Sequence, residues 1–89
     1  MKVEFKSSFA RDLKKIGDTS LHKNIQAAIE QVSQAQDLRT VTNLKPLGRS
    51  AGRYYRIKLG DYRIGLIVAK DVVTFVRFLH RKEIYRYFP

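Results

Sequence analysis

The chain has 89 residues and no cysteine, so its length suits one modest domain, and both a disulfide framework and a thiolate metal site are excluded. Hydrophobic residues make up 44% of the sequence, which is too many for a disordered tail. Eighteen Lys and Arg oppose eight Asp and Glu, a net charge of +10. For a small domain this charge predicts a polyanionic partner: nucleic acid first, then an acidic protein, then an anionic membrane surface.

Targeting and cofactor signals are not found in the sequence. No apolar run approaches the roughly 20 residues that cross a bilayer, and the charged N-terminus has no signal-peptide core. With His22 and His80 as the only histidines, an all-histidine metal cage is not expected. We therefore expect a cytoplasmic protein with no membrane partner, no metal and no small-molecule cofactor.

The N-terminal half predicts one strand and two helices. Residues 1–5 alternate between apolar and polar side chains, which is typical of a strand. Residues 7–16 and 19–35 each carry an apolar stripe at helical spacing, behind a serine or threonine in the cap position. These two segments are expected to form a helical hairpin with one apolar face on each helix.

The C-terminal half is rich in strand signals. Residues 37–53 contain one proline, Pro46, and two glycines, Gly48 and Gly52, so this segment is predicted to be mostly loop. Three β-rich runs follow, joined by two-residue loops at Gly60-Asp61 and Lys70-Asp71. The order β-α-α-β-β-β predicts an α+β fold, with the helical hairpin packed on one face of an antiparallel sheet. Residues 1–89 are expected to form one domain.

The first of these hairpins predicts an unusual sheet face. A two-residue loop at Gly60-Asp61 sets Lys58 opposite Arg63 and Arg56 opposite Gly65. These side chains then share the face away from the helices, together with Tyr54. Like charges directly across a hairpin are destabilising, so the pattern indicates a site for an anion. Gly65 would let a ligand backbone approach closely. The alternative explanation for the cations is that they protect the strand edges against aggregation.

The third β run and the tail extend this prediction. A similar two-residue loop puts Thr74, Val76 and Phe78 on the open face and Arg77, awkwardly, on the helix-covered face. The tail mixes cations with aromatics, which suits phosphate contact and base stacking on RNA. The residues predicted to bind RNA are Arg53, Tyr54, His80, Lys82 and Arg86.

The sequence resembles the RelE/ParE toxin superfamily of bacterial toxin–antitoxin systems. The resemblance rests on the blocks Tyr-Arg-Ile-Lys-Leu, Asp-Tyr-Arg and His-Arg-x-x-Ile-Tyr, in that order, and covers nearly the whole chain. It implies a RelE-like mRNA interferase, which cleaves mRNA in the ribosomal A site, and a cognate acidic antitoxin as partner. The 70S ribosome and mRNA are the other partners that it implies.

The resemblance also implies a catalytic set. Its members on this chain are Arg56, Lys58, Arg63, Arg81 and a late tyrosine, either Tyr87 by its offset from the arginine or Tyr85 by the Ile-Tyr pair. The implied reaction is attack of the ribose 2′-hydroxyl on the adjacent phosphate.

The chemistry of the side chains predicts a role for each member. Lys58 is the candidate base, because flanking Arg56 and Arg63 disfavour its charged form. Arg56 and Arg63 would clamp phosphate oxygens, and Arg81 or His80 would serve the leaving oxygen. The alternative is a ParE-like inhibitor of DNA gyrase, for which the cations would be contact residues without catalysis.

Overall fold

The chain folds into a layer of helices against a sheet, which confirms the α+β class. In a computed structural model that describes residues 1–48 and 53–89, a short 3-10 turn at Leu38–Thr40 separates the helical half from the sheet half. The strands are β1 Lys2–Phe5, β2 Leu44–Pro46, β3 Tyr54–Leu59, β4 Tyr62–Ala69 and β5 Val72–His80, and the helices are α1 Ser7–Lys14, α2 Thr19–Gln34 and α3 Ile84–Tyr87.

The sheet has five strands in the order β1-β5-β4-β3-β2 and is mixed. β1 runs parallel to β5, whereas the other neighbours are antiparallel. The predicted antiparallel pairing is confirmed for β2 to β5 and is wrong for β1. Between β1 and β5 the chain forms both long helices and the other three strands, and a connection of this length allows the two strands to pair in parallel.

Residues 37–53 are predicted to be mostly loop, and β2 is a short strand within this segment that the prediction did not include. Pro46 ends a three-residue strand at the edge of the sheet, where a missing backbone N–H costs no ladder bond. The part of the predicted loop at 49–52 lies outside the described residues.

Both long helices pack on one face of the sheet, as predicted. α2 begins one residue earlier than its threonine suggested, because Asp18 caps it and accepts from the backbone N–H of Leu21 at 3.1 Å. The buried side chains from the helices and from alternate strand positions form a single cluster: Phe9, Ile25, Ala28 and Val32 meet Ile57, Ile64, Leu66, Val73, Phe75 and Phe78.

The predicted register of the β3–β4 hairpin is confirmed. Lys58 pairs with Arg63, Arg56 pairs with Gly65, and Leu59 pairs with Tyr62. A type II′ turn requires a positive φ at its first central residue only. Gly60 meets this requirement with a φ of +58°, and the φ of Asp61 is not positive.

The register of β5 differs from the prediction because of a bulge. Leu66 pairs with Phe75 but Gly65 pairs with Arg77, so Val76 is an extra residue without a partner in β4. From Arg77 onward, every side chain of β5 therefore lies on the face opposite to the one that the predicted register gives it. Phe78 is therefore buried in the helix-side cluster, and Arg77 lies on the face of Gly65, contrary to both predictions.

Within the described part of the chain, no helix is both long enough and apolar enough to cross a membrane.

Candidate nucleic-acid interface and active site

Four cations share the sheet face that the long helices leave open. Lys45 on β2 pairs with Arg56 on β3, and Lys58 pairs with Arg63 on β4. Directly opposed residues project from the same face, so these four side chains form one surface, called here the cation face. Sequence reasoning missed Lys45 because its segment was predicted as loop, although the Leu44-Lys45 alternation was a usable signal.

Arg56 lies half-buried beside the backbone of Lys58. Its Nη1 donates to the carbonyl of Asn43 at 2.9 Å, and the same carbonyl accepts from the backbone N–H of Lys58 at 3.0 Å. Asn43 has a φ of +61°, a left-handed conformation that asparagine tolerates. The turn before β2 thus fixes one end of the Arg56 guanidinium, and Nη2 has no hydrogen bond within the described residues.

Arg63 is anchored at the β3–β4 turn. Its Nη1 donates to the carbonyls of Gly60 at 2.8 Å and Tyr62 at 2.9 Å, and its Nε is buried without a hydrogen bond to a described residue. These contacts hold the guanidinium at the turn end of the sheet, where its Nη2 has no described protein partner.

Arg81 reaches the same turn from β5. Its backbone N–H donates to the carbonyl of Asp61 at 2.7 Å, and its Nε lies 3.8 Å from the Asp61 carboxylate. Both side chains are more than half exposed, so this pair is screened by solvent and leaves Arg81 available. The structure therefore brings Arg63 and Arg81 to one turn, and Arg63 pairs across the hairpin with Lys58.

The charges of the cation face are not neutralised within the described chain. The ion pairs there join Arg39 to Asp37, Arg77 to Asp12 and Arg81 to Asp61, and none involves the cation face. Lys58 is exposed, and its side chain has no hydrogen bond or ion pair with a described residue. Unpaired like charges on one small surface favour an anionic ligand.

The tail, which sequence reasoning left unassigned, covers part of this open face. Ile84 and Phe88 are buried, at 0% and 3% exposure, but belong to no part of the helix-side cluster. Phe88 instead lies over Gly65 and meets the ring of Tyr54 edge-on at 5.8 Å. α3 is thus held on the face that carries the cations.

The two late tyrosines project from opposite flanks of α3. Residues two apart on a helix lie about 200° apart around its axis. Tyr87 faces Arg77, whose Cζ lies 5.8 Å from the centre of its ring. Tyr85 points to the other flank and is 60% exposed.

Gly65 serves a different purpose from the predicted one. A Cβ at this position would lie 2.7 to 2.9 Å from three ring carbons of Phe88, which already fills the space. The prediction that Gly65 admits a ligand backbone is therefore wrong, because the chain's own tail occupies that position.

A methyl group at Gly65 should loosen the tail. We expect Gly65→Ala to lower the free energy of unfolding by about 1–3 kcal/mol, because the whole Phe88 ring must move. Thermal unfolding followed by circular dichroism measures the effect. Gly17→Ala is the matched control, since its Cβ meets no atom within 4 Å, and should change stability by less than about 0.5 kcal/mol. Equal midpoints for the two variants would contradict the contact.

Several predicted RNA-binding residues lie apart from the cation face. His80 pairs with Tyr62 on the helix side, meets that ring edge-on at 5.5 Å, and accepts at Nδ1 from the backbone N–H of Lys82 at 3.2 Å. The sheet therefore separates His80 from Lys58. Arg53 lies before β3, five residues or roughly 17 Å of strand from Lys58.

The remaining predicted contact residues surround α3. Tyr54 shares the open face but packs against Phe88. Lys82 and Arg86 are exposed, and their side chains have no hydrogen bond or ion pair with described residues. They add positive charge around α3.

A buried ion pair that sequence reasoning missed lies at the other edge of β5. Asp12 on α1 is 5% exposed, and its carboxylate accepts from Arg77 Nε at 2.8 Å, from Arg77 Nη2 at 3.2 Å and from the backbone N–H of Phe78 at 2.9 Å. The hydrogen bonds to Asp12 raise the pKa of Arg77, against the opposing effect of burial. Sequence reasoning missed this pair because its two residues are 65 positions apart, and no local periodicity connects them.

The five-stranded mixed sheet with two helices on one face is an α+β fold like that of the RelE toxins, and its other face carries cations that form no ion pair with a described residue. The chain belongs to the family described as the ParE toxin of type II toxin–antitoxin systems, whose model matches residues 3–85. The predicted membership of the RelE/ParE superfamily is thereby confirmed.

Individual relatives are similar to this chain over 90% or more of its length. Toxin RelE3 of Methanocaldococcus jannaschii is 40% identical over 90 residues, which covers 100% of both chains. The RelB-RelE antitoxin-toxin complex from Methanococcus jannaschii contains a chain that is 37% identical, with a TM-score of 0.79 over 97% of this chain and 99% of that one. The RelE-RelB complex from Pyrococcus horikoshii OT3, at 17% identity, a TM-score of 0.73 and coverage of 90% and 93%, shows the shared fold.

Proposed function

We propose that this chain is a ribosome-dependent endoribonuclease, an mRNA interferase that cleaves mRNA in the A site and so inhibits translation. The observation that carries the proposal is Lys58, an exposed amine without a described protein partner between Arg56 and Arg63. The full-length similarity to a RelE-named toxin supports the same activity.

The proposed reaction is an intramolecular transesterification of RNA. The 2′-oxygen attacks the adjacent phosphorus while the bond from phosphorus to the 5′-oxygen breaks. The side chain of Lys58 takes the proton of the 2′-hydroxyl. Solvent water supplies a proton to the departing 5′-oxygen and later takes up the proton that Lys58 has accepted, so the products are a 2′,3′-cyclic phosphate and a 5′-hydroxyl. No redox partner or metal takes part in this balance.

The arginines supply charge rather than proton transfer. Arg56 and Arg63 each use Nη1 to bind backbone carbonyls, which pre-organises the guanidinium and leaves Nη2 for a phosphate oxygen. Arg81, beside the same turn, stabilises the charge on the leaving oxygen. Such donors accelerate the reaction because charge grows on the oxygens in the transition state.

A late tyrosine orients the nucleotide by stacking on a base. Tyr85 suits this role better than Tyr87, because it projects from the free flank of α3 while Tyr87 covers Arg77. In this proposal the exposed Lys82 and Arg86 hold the RNA backbone near α3. Arg53, Tyr54 and His80 would contact RNA or the ribosome only beyond the cation face.

A cognate acidic antitoxin is the proposed protein partner. The net charge of +10 favours an acidic chain, and RelE of Methanococcus jannaschii is solved in complex with RelB. Action on ribosomes implies that the protein works in the cytoplasm, with the 70S ribosome and mRNA as its other partners.

Inhibition of DNA gyrase is the second candidate function. The description of the matching family as ParE toxins favours it, whereas the RelE-named relative favours the nuclease. In the gyrase case the cation face would bind a partner without proton transfer, and Lys58 would need no particular chemistry.

Ribosomes programmed with a defined mRNA separate the two functions. We expect the purified full chain to cut the mRNA within the A-site codon and to leave gyrase supercoiling unaffected. Intact mRNA together with blocked supercoiling would overturn the proposal in favour of the gyrase function.

A further inference from the structure

α1 closes an edge of β5 that β1 leaves open. β1 ends at Phe5, which pairs with Phe75, so the backbone beyond Phe75 has no strand on that side. Ser8 Oγ donates to the carbonyl of Val76 at 2.6 Å, and Asp12 accepts from the backbone N–H of Phe78 at 2.9 Å. Two side chains of one helix thus replace the missing strand.

The Asp12 carboxylate also fixes the Arg77 guanidinium. Two of its hydrogen bonds come from Nε and Nη2 of Arg77, a fork that sets the plane of the guanidinium. The bulge at Val76 starts this side chain on the face of α3. Arg77 therefore spans the edge of the sheet, from α1 to the tail.

α3 depends on contacts such as this one. A four-residue helix is not stable alone, since the cost of nucleation exceeds what one turn returns. Its side-chain anchors are Ile84, Phe88 and the Tyr87 ring against Arg77. An arginine already held by a carboxylate loses little further side-chain freedom when it packs under a ring.

We infer that Arg77, held by Asp12, is a positioning residue that fixes α3, and with it the late tyrosines, on the cation face. Its effect on activity rests on the proposed nuclease function, whereas its effect on α3 does not. Arg77 thus connects α1, on the helix-covered side of the sheet, to α3, whose tyrosine would stack on RNA.

The test measures the mobility of α3 and the cleavage rate separately. We expect Arg77→Met to lower the backbone ¹⁵N order parameters of residues 84–88 from about 0.85 to below about 0.6, with those of Ile64 and Phe75 unchanged. On programmed ribosomes kcat should fall about tenfold while the half-saturating ribosome concentration stays within about twofold. A role in stability alone would not change order parameters of the folded protein.

A second variant tests the same contact without breaking the buried ion pair, whose loss could impair folding. Tyr87→Leu keeps the Asp12–Arg77 pair and should mobilise the same five residues. Arg39→Met is the matched control, because it breaks an exposed ion pair with Asp37 and should change neither readout. Rigid residues 84–88 in both Arg77→Met and Tyr87→Leu would overturn the inference. If the wild-type chain cuts no mRNA, the proposed function fails, but the order parameters still decide the role of Arg77.

Discussion

Lys58→Ala is expected to lower the rate of mRNA cleavage on programmed ribosomes by about 10²- to 10⁴-fold, the usual contribution of a general base. Its binding to ribosomes should change little, because Arg56, Arg63 and Lys45 keep the surface positive. Single-turnover cleavage and a ribosome sedimentation assay measure the two quantities separately.

Misfolding should not account for that loss. Lys58 lies directly across from Arg63, so its removal relieves a like-charge contact and should leave the thermal midpoint unchanged or slightly raised. Lys23→Ala, an exposed lysine on α2, removes the same charge and should cleave like the wild type. A Lys58→Ala variant as active as Lys23→Ala would refute the role of the amine.

Arg77→Met is expected to destabilise the fold by about 3 kcal/mol, the largest stability effect that the structure predicts. It leaves the Asp12 carboxylate buried with one backbone N–H as partner. Removal of one member of a buried pair typically costs about 3–5 kcal/mol, and the partial exposure of Arg77 places this case at the lower end. Urea denaturation measures the free energy directly.

Two comparisons isolate the unpaired charge. The double variant Asp12→Leu/Arg77→Met removes both charges and should recover part of the lost stability, although the N–H of Phe78 loses its acceptor. Arg39→Met breaks a pair whose side chains are 90% and 43% exposed, and should change stability by less than about 1 kcal/mol. Equal effects of Arg77→Met and Arg39→Met would contradict the structural role of the buried pair.

The centre of the cation face was predictable from sequence because its determinants are local. A two-residue loop with glycine first fixes the pairing of β3 with β4, and the strict alternation of strand side chains then places Arg56, Lys58 and Arg63 together. The helix-side core followed from the same alternation and from the helical stripes. Strand alternation, loop length and helical spacing therefore predicted the structure correctly wherever no bulge interrupted a strand.

The parts that were missed depend on contacts distant in sequence. Nothing local marks Val76 as a bulge, and one extra residue moved Phe78 and Arg77 to the faces opposite those predicted. The tail is too short for its sequence to predict a structure. Its Phe88 packs on Gly65, which lies more than twenty positions earlier in the chain. The Asp12–Arg77 pair joins residues 65 positions apart, beyond the reach of any periodicity.

The nucleophile of the reaction provides the most direct test of catalysis at the cation face. An mRNA with a single 2′-deoxyribose at the nucleotide before the scissile bond lacks the hydroxyl that Lys58 would deprotonate. On programmed ribosomes this mRNA should stay intact, while the all-ribose mRNA yields fragments with 2′,3′-cyclic phosphate and 5′-hydroxyl ends. Cleavage of the deoxy-substituted mRNA at the same position and rate would contradict the account.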